Sequence, residues 1–173
     1  NLFNCLPRKE FQTTIKNAET VKLQMELESE TIEQLEKLKG HGSWNDLMQE
    51  LLQIRAEKLE QMKPKAVKTT SRHIPNKTKK YVKARTNGQC AFPRCIKPAE
   101  IFQHTQRWAL ENVHDPDRLY GLCKGHEQIA HLGLVQNEEQ SRQNWKIRMQ
   151  PDTKDPKHKV DLAVQKFRNK CLV

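Results

Sequence analysis

Two short pairs of metal-ligand residues, "CAFPRC" and "CKGH", stand 27 residues apart in the chain. The first is Cys90-x4-Cys95 and the second Cys123-x2-His126. Each pair can close a knuckle on one ion. Three thiolates and one imidazole make a tetrahedral zinc site, because zinc accepts both donor types at about 2.0–2.3 Å. Five cysteines is an odd number, and no secretion signal precedes them, so metal binding is the better reading of these three than disulfides. Cys5 and Cys171, near the two ends, are read as free thiols without a role. Both pairs are complete without His104 and His131, which leaves those imidazoles for other chemistry. His104 closes the strand-like run "EIFQH" directly after Gln103, so an amide stands beside an imidazole.

Around these residues the charge is uneven. The chain has 173 residues and a net charge of +10. Residues 1–62 carry 8 Lys/Arg against 11 Asp/Glu, and residues 98–173 carry 12 against 10. Residues 63–97 carry 11 Lys/Arg and no acid, and this stretch leads into the first cysteine pair. An acid-free run of that length, with Tyr81 and Phe92 interleaved, suits a polyanion. Arg72, Lys77, Lys79, Lys80, Lys83, Arg85 and Arg94 are its candidate phosphate contacts, with double-stranded DNA the expected partner. No apolar run approaches the roughly 18 residues that would span a bilayer, so no membrane role is expected and the location is read as cytoplasmic. Apolar residues make up 35% of the chain, which supports small cores under large solvated surfaces.

The elements that must position the site follow from periodicity. "VKLQMELE" (21–28) alternates, which predicts a half-buried strand with Val21, Leu23, Met25 and Leu27 inward. Thr31 is expected to cap "IEQLEKLKG", which Gly40 closes. Ser43 and Asp46 form a reciprocal cap for a helix over Trp44 to about Met62, with Leu47, Leu51, Ile54 and either Lys58 or Leu59 as its stripe. This strand-helix-helix order also resembles ribbon-helix-helix modules. The acidic balance of residues 1–62 favours packing or homodimerisation through residues 21–62 over a DNA role. Residues 63–74 read as a basic linker. A third helix is predicted from Pro75 to the left-handed stop at Asn87-Gly88. After residue 135 the chain reads as a covering segment, 136–173, with a last helix over about 159–170.

Three stretches, "SRHIPNKTKKYVKARTNGQCAFPRC", "EIFQHTQRWAL" and "DPDRLYGLCKGHEQIAHLG", together resemble the HNH endonucleases of bacteria and phage. The likeness is to those whose ββα-metal core is stapled by a zinc knuckle. "TIEQLEKLKGHGSWNDLMQELL" is similar to the helical region that precedes the nuclease in some longer bacterial members. The resemblance implies an α+β fold, with an HNH-like core over residues 75–135 held by a structural Zn2+. The activity it implies is metal-dependent cleavage of DNA with Mg2+ or Mn2+.

On that resemblance His104 falls at the general base, and Gln103 at the first ligand of the catalytic cation. Arg118, before Leu119, stands at the position of a loop asparagine. Glu127 stands where the final histidine follows the second knuckle, and His131 lies one helical turn beyond on the same face. Cleavage needs a base for water and a cation for the leaving oxygen. Gln103 offers only a neutral carbonyl oxygen, whereas Glu127 and His131 are competent ligands. Two outcomes stay open: a rebuilt metal site, or a centre that binds its substrate uncleaved. The alternative function is therefore a non-catalytic zinc-containing DNA-binding or assembly protein. Arg107 and Arg118 could clamp a phosphate, with surface charge as the plain reading of each. Trp108 is expected in the small core, and His114 in solvent.

Overall fold

Reciprocal hydrogen bonds between Ser43 and Asp46 start the longest helix among the described residues. Ser43 Oγ accepts from the Asp46 backbone N–H at 3.1 Å, and Asp46 Oδ2 accepts from Ser43 N–H at 3.3 Å. This is the expected capping box, satisfying donors that a helix start otherwise leaves orphaned. The computed structural model describes residues 11–15 and 21–170, so Cys5 and Cys171 lie outside the described residues. The described residues divide into two compact units, one running up to Glu60 and the other starting at Gln61.

In the first unit, β1 (Phe11–Ile15) pairs antiparallel with β2 (Val21–Met25), followed by α1 (Ser29–Lys39) and α2 (Trp44–Met62). Here the half-buried strand is corrected. Val21 is 57% exposed and Leu23 51%, and every residue of β2 is exposed. A two-stranded ribbon has no second layer of its own to cover either face. The cap of α1 also moves. Glu28 is the N-cap without a side-chain bond, and Thr31 lies inside the first turn beside Glu30, whose charge suits the positive helix end. Gly40, at φ 53°, closes this helix by donating to Glu36 O. On α2, Leu47 is buried whereas Ile54 is 51% exposed, so the inward stripe is narrower than its periodicity suggests.

The second unit is a mixed α+β assembly of short antiparallel pairs and helices. The expected linker holds a strand, since β3 (Val67–Lys68) pairs with β5 (Val113–His114). Pro75 is the N-cap of α3 (Asn76–Arg85) rather than its first residue. Thr78, Tyr81 and Val82 form the buried face of α3. Asn87 (φ 51°) and Gly88 (φ 72°) make the left-handed stop, and Gly88 N–H donates to Lys83 O at 2.8 Å.

Next, β4 (Ile101–His104) pairs antiparallel with β6 (Leu119–Leu122), setting His104 opposite Leu119. Between them lie α4 (Trp108–Glu111) and β5, and α5 (Lys124–His131) follows directly. Gly121 permits the close packing of this pair, since a Cβ there would meet Ala99 Cβ at 2.7 Å. β7 (Val135–Gln136) pairs with β8 (Lys146–Ile147), and α6 (Pro156–Lys170) packs on α5. Among the described residues the core has two clusters. Cys90, Cys95, Cys123, Leu122, Ala130 and Trp145 anchor one, and Tyr81, Val82 and Leu119 the other. Among the described residues no helix is long and apolar enough to cross a membrane.

Candidate functional site

The two knuckles meet. One ligand atom from each of Cys90, Cys95, Cys123 and His126 lies within 4.8 Å of the others. His126 Nδ1 is 3.4 Å from Cys90 Sγ and 3.3 Å from Cys123 Sγ. In a tetrahedron with the usual zinc bond lengths, a sulfur–nitrogen edge is about 3.6 Å, so the spacing fits. The backbone explains the convergence. Cys123 is the N-cap of α5, which places His126 one turn along, and Cys90 N–H donates to Lys97 O across the first loop. Phe92 stacks on the His126 ring at 4.1 Å and 9°, fixing its plane. Burial pushes the Cys90 and Cys95 thiols above their ordinary range. Burial and then Lys97 pull His126 down, towards the neutral ring that a metal needs. This group can hold a metal ion such as zinc.

A second constellation begins at His104. Its Nε2 lies 2.9 Å from His114 Nδ1, and His114 Nε2 lies 3.0 Å from the Ser71 carbonyl oxygen. A carbonyl only accepts, so His114 carries its hydrogen on Nε2 and presents the Nδ1 lone pair. His104 must then donate through Nε2, which leaves Nδ1 as its basic nitrogen. The relay fixes one tautomer of His104. Burial, then His114 and Arg107, lower the His104 pKa from 6.5 to about 4. The expected solvent exposure of His114 is thus corrected: it is fully buried, because β3 pairs with β5 over it. Only that strand pairing brings Ser71 to the ring, and no local pattern announces it.

This shift carries a pH prediction. A histidine whose pKa is lowered on folding binds protons more readily in the unfolded chain, so stability rises with pH between about 4 and 6.5. Denaturant midpoints should fall as pH drops through that window. His104→Asn should flatten the fall, and ring resonances of His104 should titrate near pH 4. A titration midpoint near 6.5 would contradict the relay.

The expected phosphate clamp at Arg107 is corrected. Arg107 is buried, donating to Asp161 Oδ1 at 2.7 Å, Glu138 Oε1 at 2.8 Å and Ala130 O at 2.8 Å. It also reaches the His104 carbonyl oxygen at 3.2 Å. Burial alone would lower its pKa, but the Glu138 and Asp161 carboxylates outweigh that and raise it. Arg107 therefore ties α6 to the end of β4 and cannot reach a ligand phosphate. Arg118 is half-exposed and pairs with Glu111 and Asp115, while its carbonyl oxygen accepts from Thr105 N–H and Oγ. Its main chain braces the loop after His104.

The three candidate cation ligands are brought near but engaged elsewhere. Gln103 and His131 line one cavity with His104 and Arg168. Glu127 is buried, and Arg168 grips its carboxylate with a fork at 2.6 and 3.2 Å. His131 Nδ1 donates to Asp161 Oδ1 at 3.0 Å, and its Nε2 faces Glu127 Oε1 at 3.3 Å. With the donors of Glu127 and His131 taken and only an amide at Gln103, this arrangement does not fit a catalytic Mg2+ or Mn2+. Arg168 and Asp161 come from α6, whose docking the sequence read only as a cover.

Along the basic segment Arg72, Lys77, Lys80, Lys83 and Arg94 are exposed, and Lys79 is half-buried. Arg85 points inward, donating to Pro116 O and Leu119 O and lying over the Tyr81 and Tyr120 rings. It is a strut and leaves the set of free contacts. Trp108 is half-buried between Arg72 and His114 rather than in either core cluster. A comparison with protein-family models found no match, and searches of curated proteins and of solved structures found none either.

Proposed function

We propose that the second unit is an HNH-like, zinc-stapled DNA-binding domain whose endonuclease centre keeps its base and is closed at the cation position. The observation that carries this reading is the Ser71–His114–His104 relay, which leaves His104 Nδ1 as an oriented, neutral base. A neutral imidazole so held can take a proton from water, the step phosphodiester hydrolysis requires. The β4–β6 pair followed by α5, with His104 ending β4, agrees with the strand-strand-helix order the resemblance implies. The Cys3His group suits structural zinc, since all four donors come from protein and no open position is needed. The cations exposed along residues 72–94 suit a phosphate backbone.

A specific observation favours the second reading, a non-catalytic DNA-binding or assembly protein. The Arg168 fork occupies the carboxylate that would hold the catalytic cation. The two readings part in a plasmid assay. With the cation position closed, this chain should nick supercoiled DNA only at a trace rate with magnesium or manganese, and His104→Ala should remove even that. Equal nicking by both proteins would exclude His104 as the base, and binding without nicking would leave the second reading.

A further inference from the structure

Five non-glycine residues hold a left-handed backbone among the described residues: Asn87, Arg94, Arg107, Asn112 and Asn137. Asparagine tolerates that region, whereas arginine is strained in it. Arg107 offsets its strain inside the fold, where Asp161, Glu138 and the Ala130 carbonyl hold its guanidinium. Arg94 does not. At φ 62° it is exposed, and its side chain meets no carboxylate, carbonyl or ring among the described residues. Its conformation is imposed by the first cysteine loop. Cys95 N–H donates to Phe92 O at 3.1 Å, closing a turn with Pro93 second and Arg94 third. Proline fixes φ at about −65° in the second position, so a left-handed third residue makes this a type II turn. Glycine or asparagine is what that third position favours. Neither end can relax, since the Phe92 ring stacks on His126 and Cys95 belongs to the Cys3His group. Strain that the surroundings impose and no internal contact offsets marks a side chain kept for something outside the chain.

The chemistry at the tip of the loop names the ligand. A guanidinium presents a planar fork that grips two oxygens of a phosphate or a carboxylate. Lys97, also exposed, adds charge to the same loop. Residues 63–97 hold 11 Lys/Arg and no acid. Cations that dense suit the closely spaced charges of a nucleic-acid backbone better than the scattered carboxylates of a protein surface. We propose that the tip of this loop is a phosphate clamp, with Arg94 the fork that fixes where a nucleic-acid strand crosses the domain. This rests on the nucleic-acid reading above and makes Arg94 the anchor among its exposed cations.

Fluorescence anisotropy with a short end-labelled duplex, combined with thermal melting of the full zinc-loaded chain, tests this. Arg94→Gly and Arg94→Asn should melt no lower than the unaltered chain, yet bind the duplex about tenfold more weakly. Each should also lower the log–log salt slope by about one, the size of one phosphate contact. Arg94→Lys should keep the slope but lose part of the affinity, because an ammonium lacks the fork. Unchanged affinity in the Gly and Asn variants would overturn the clamp alone, as would melting of both below the unaltered chain. A labelled polyaspartate bound more tightly than the duplex would overturn the choice of phosphate. A duplex left unbound by the unaltered chain would overturn the clamp together with the nucleic-acid reading.

Discussion

Removing zinc should unfold the second unit. The ligands are not appended to a finished core; Cys90, Cys95 and Cys123 are members of its larger hydrophobic cluster, beside Leu122, Ala130 and Trp145. Without an ion, burial keeps the Cys90 and Cys95 thiols protonated, and the cluster centres on groups with weak mutual attraction. A bound ion would displace those protons, and Cys90, Cys95, Cys123 and His126 would then tie the 90–95 loop to the start of α5. Structural zinc in small domains contributes about 10–16 kcal/mol, as large as the whole ~5–15 kcal/mol by which a typical domain is stable. Protein prepared without added zinc should hold about one equivalent, and a chelator should abolish the near-ultraviolet signal of Trp145 and protease resistance around residues 88–130. Cys123→Ser should do the same without chelator. Because protons compete for the raised thiols, zinc loss should become easier as pH falls. A fully folded, zinc-free protein, or a Cys90–Cys95 disulfide, would refute this account of the core.

DNA affinity should collapse with salt. Each phosphate neutralised releases condensed counterions, with a slope near −0.9 per contact in log–log form. If the exposed Arg72, Lys77, Lys80, Lys83 and Arg94 with half-buried Lys79 all engage, affinity should fall about 10³-fold between 50 and 200 mM salt. Replacing Lys79, Lys80 and Lys83 by Gln should reduce the slope by about three and weaken all sequences alike. Arg85→Gln should instead destabilise the fold, since its guanidinium holds the Pro116 and Leu119 carbonyls inside. A salt-independent affinity would mean that the basic segment is solvated surface.

Local chemistry was legible where it depended on few neighbouring residues. The capping box at Ser43 and Asp46, the stop at Asn87-Gly88 and the two knuckles each lie within a few positions, and each forms as its spacing implies. What failed depended on distant partners. Alternation in residues 21–28 specifies two faces but not whether anything covers them, and β2 stays exposed. The basic run counts charges but cannot tell that Arg85 turns inward onto Tyr120. His114 and Arg107 looked like loop polar groups. One is buried by the pairing of β3 with β5, the other by carboxylates 31 and 54 residues away. Gln103 drew attention as an amide in place of a ligand, yet that its Nε2 is buried without a partner emerges only from the fold.

The claim that a competent base sits beside a closed cation position is tested most directly by opening that position. Arg168→Ala frees the Glu127 carboxylate, and Gln103→His supplies a stronger ligand. Supercoiled plasmid is incubated with magnesium or manganese, and the nicking rate is compared across the unaltered chain, each single variant and the pair. The double variant should nick at least about 10²-fold faster than the unaltered chain, since charge on the leaving oxygen is then neutralised. Adding His104→Ala to it should return the rate to background. A double variant that stays folded, retains its zinc and binds the plasmid without nicking it under either cation would contradict the account.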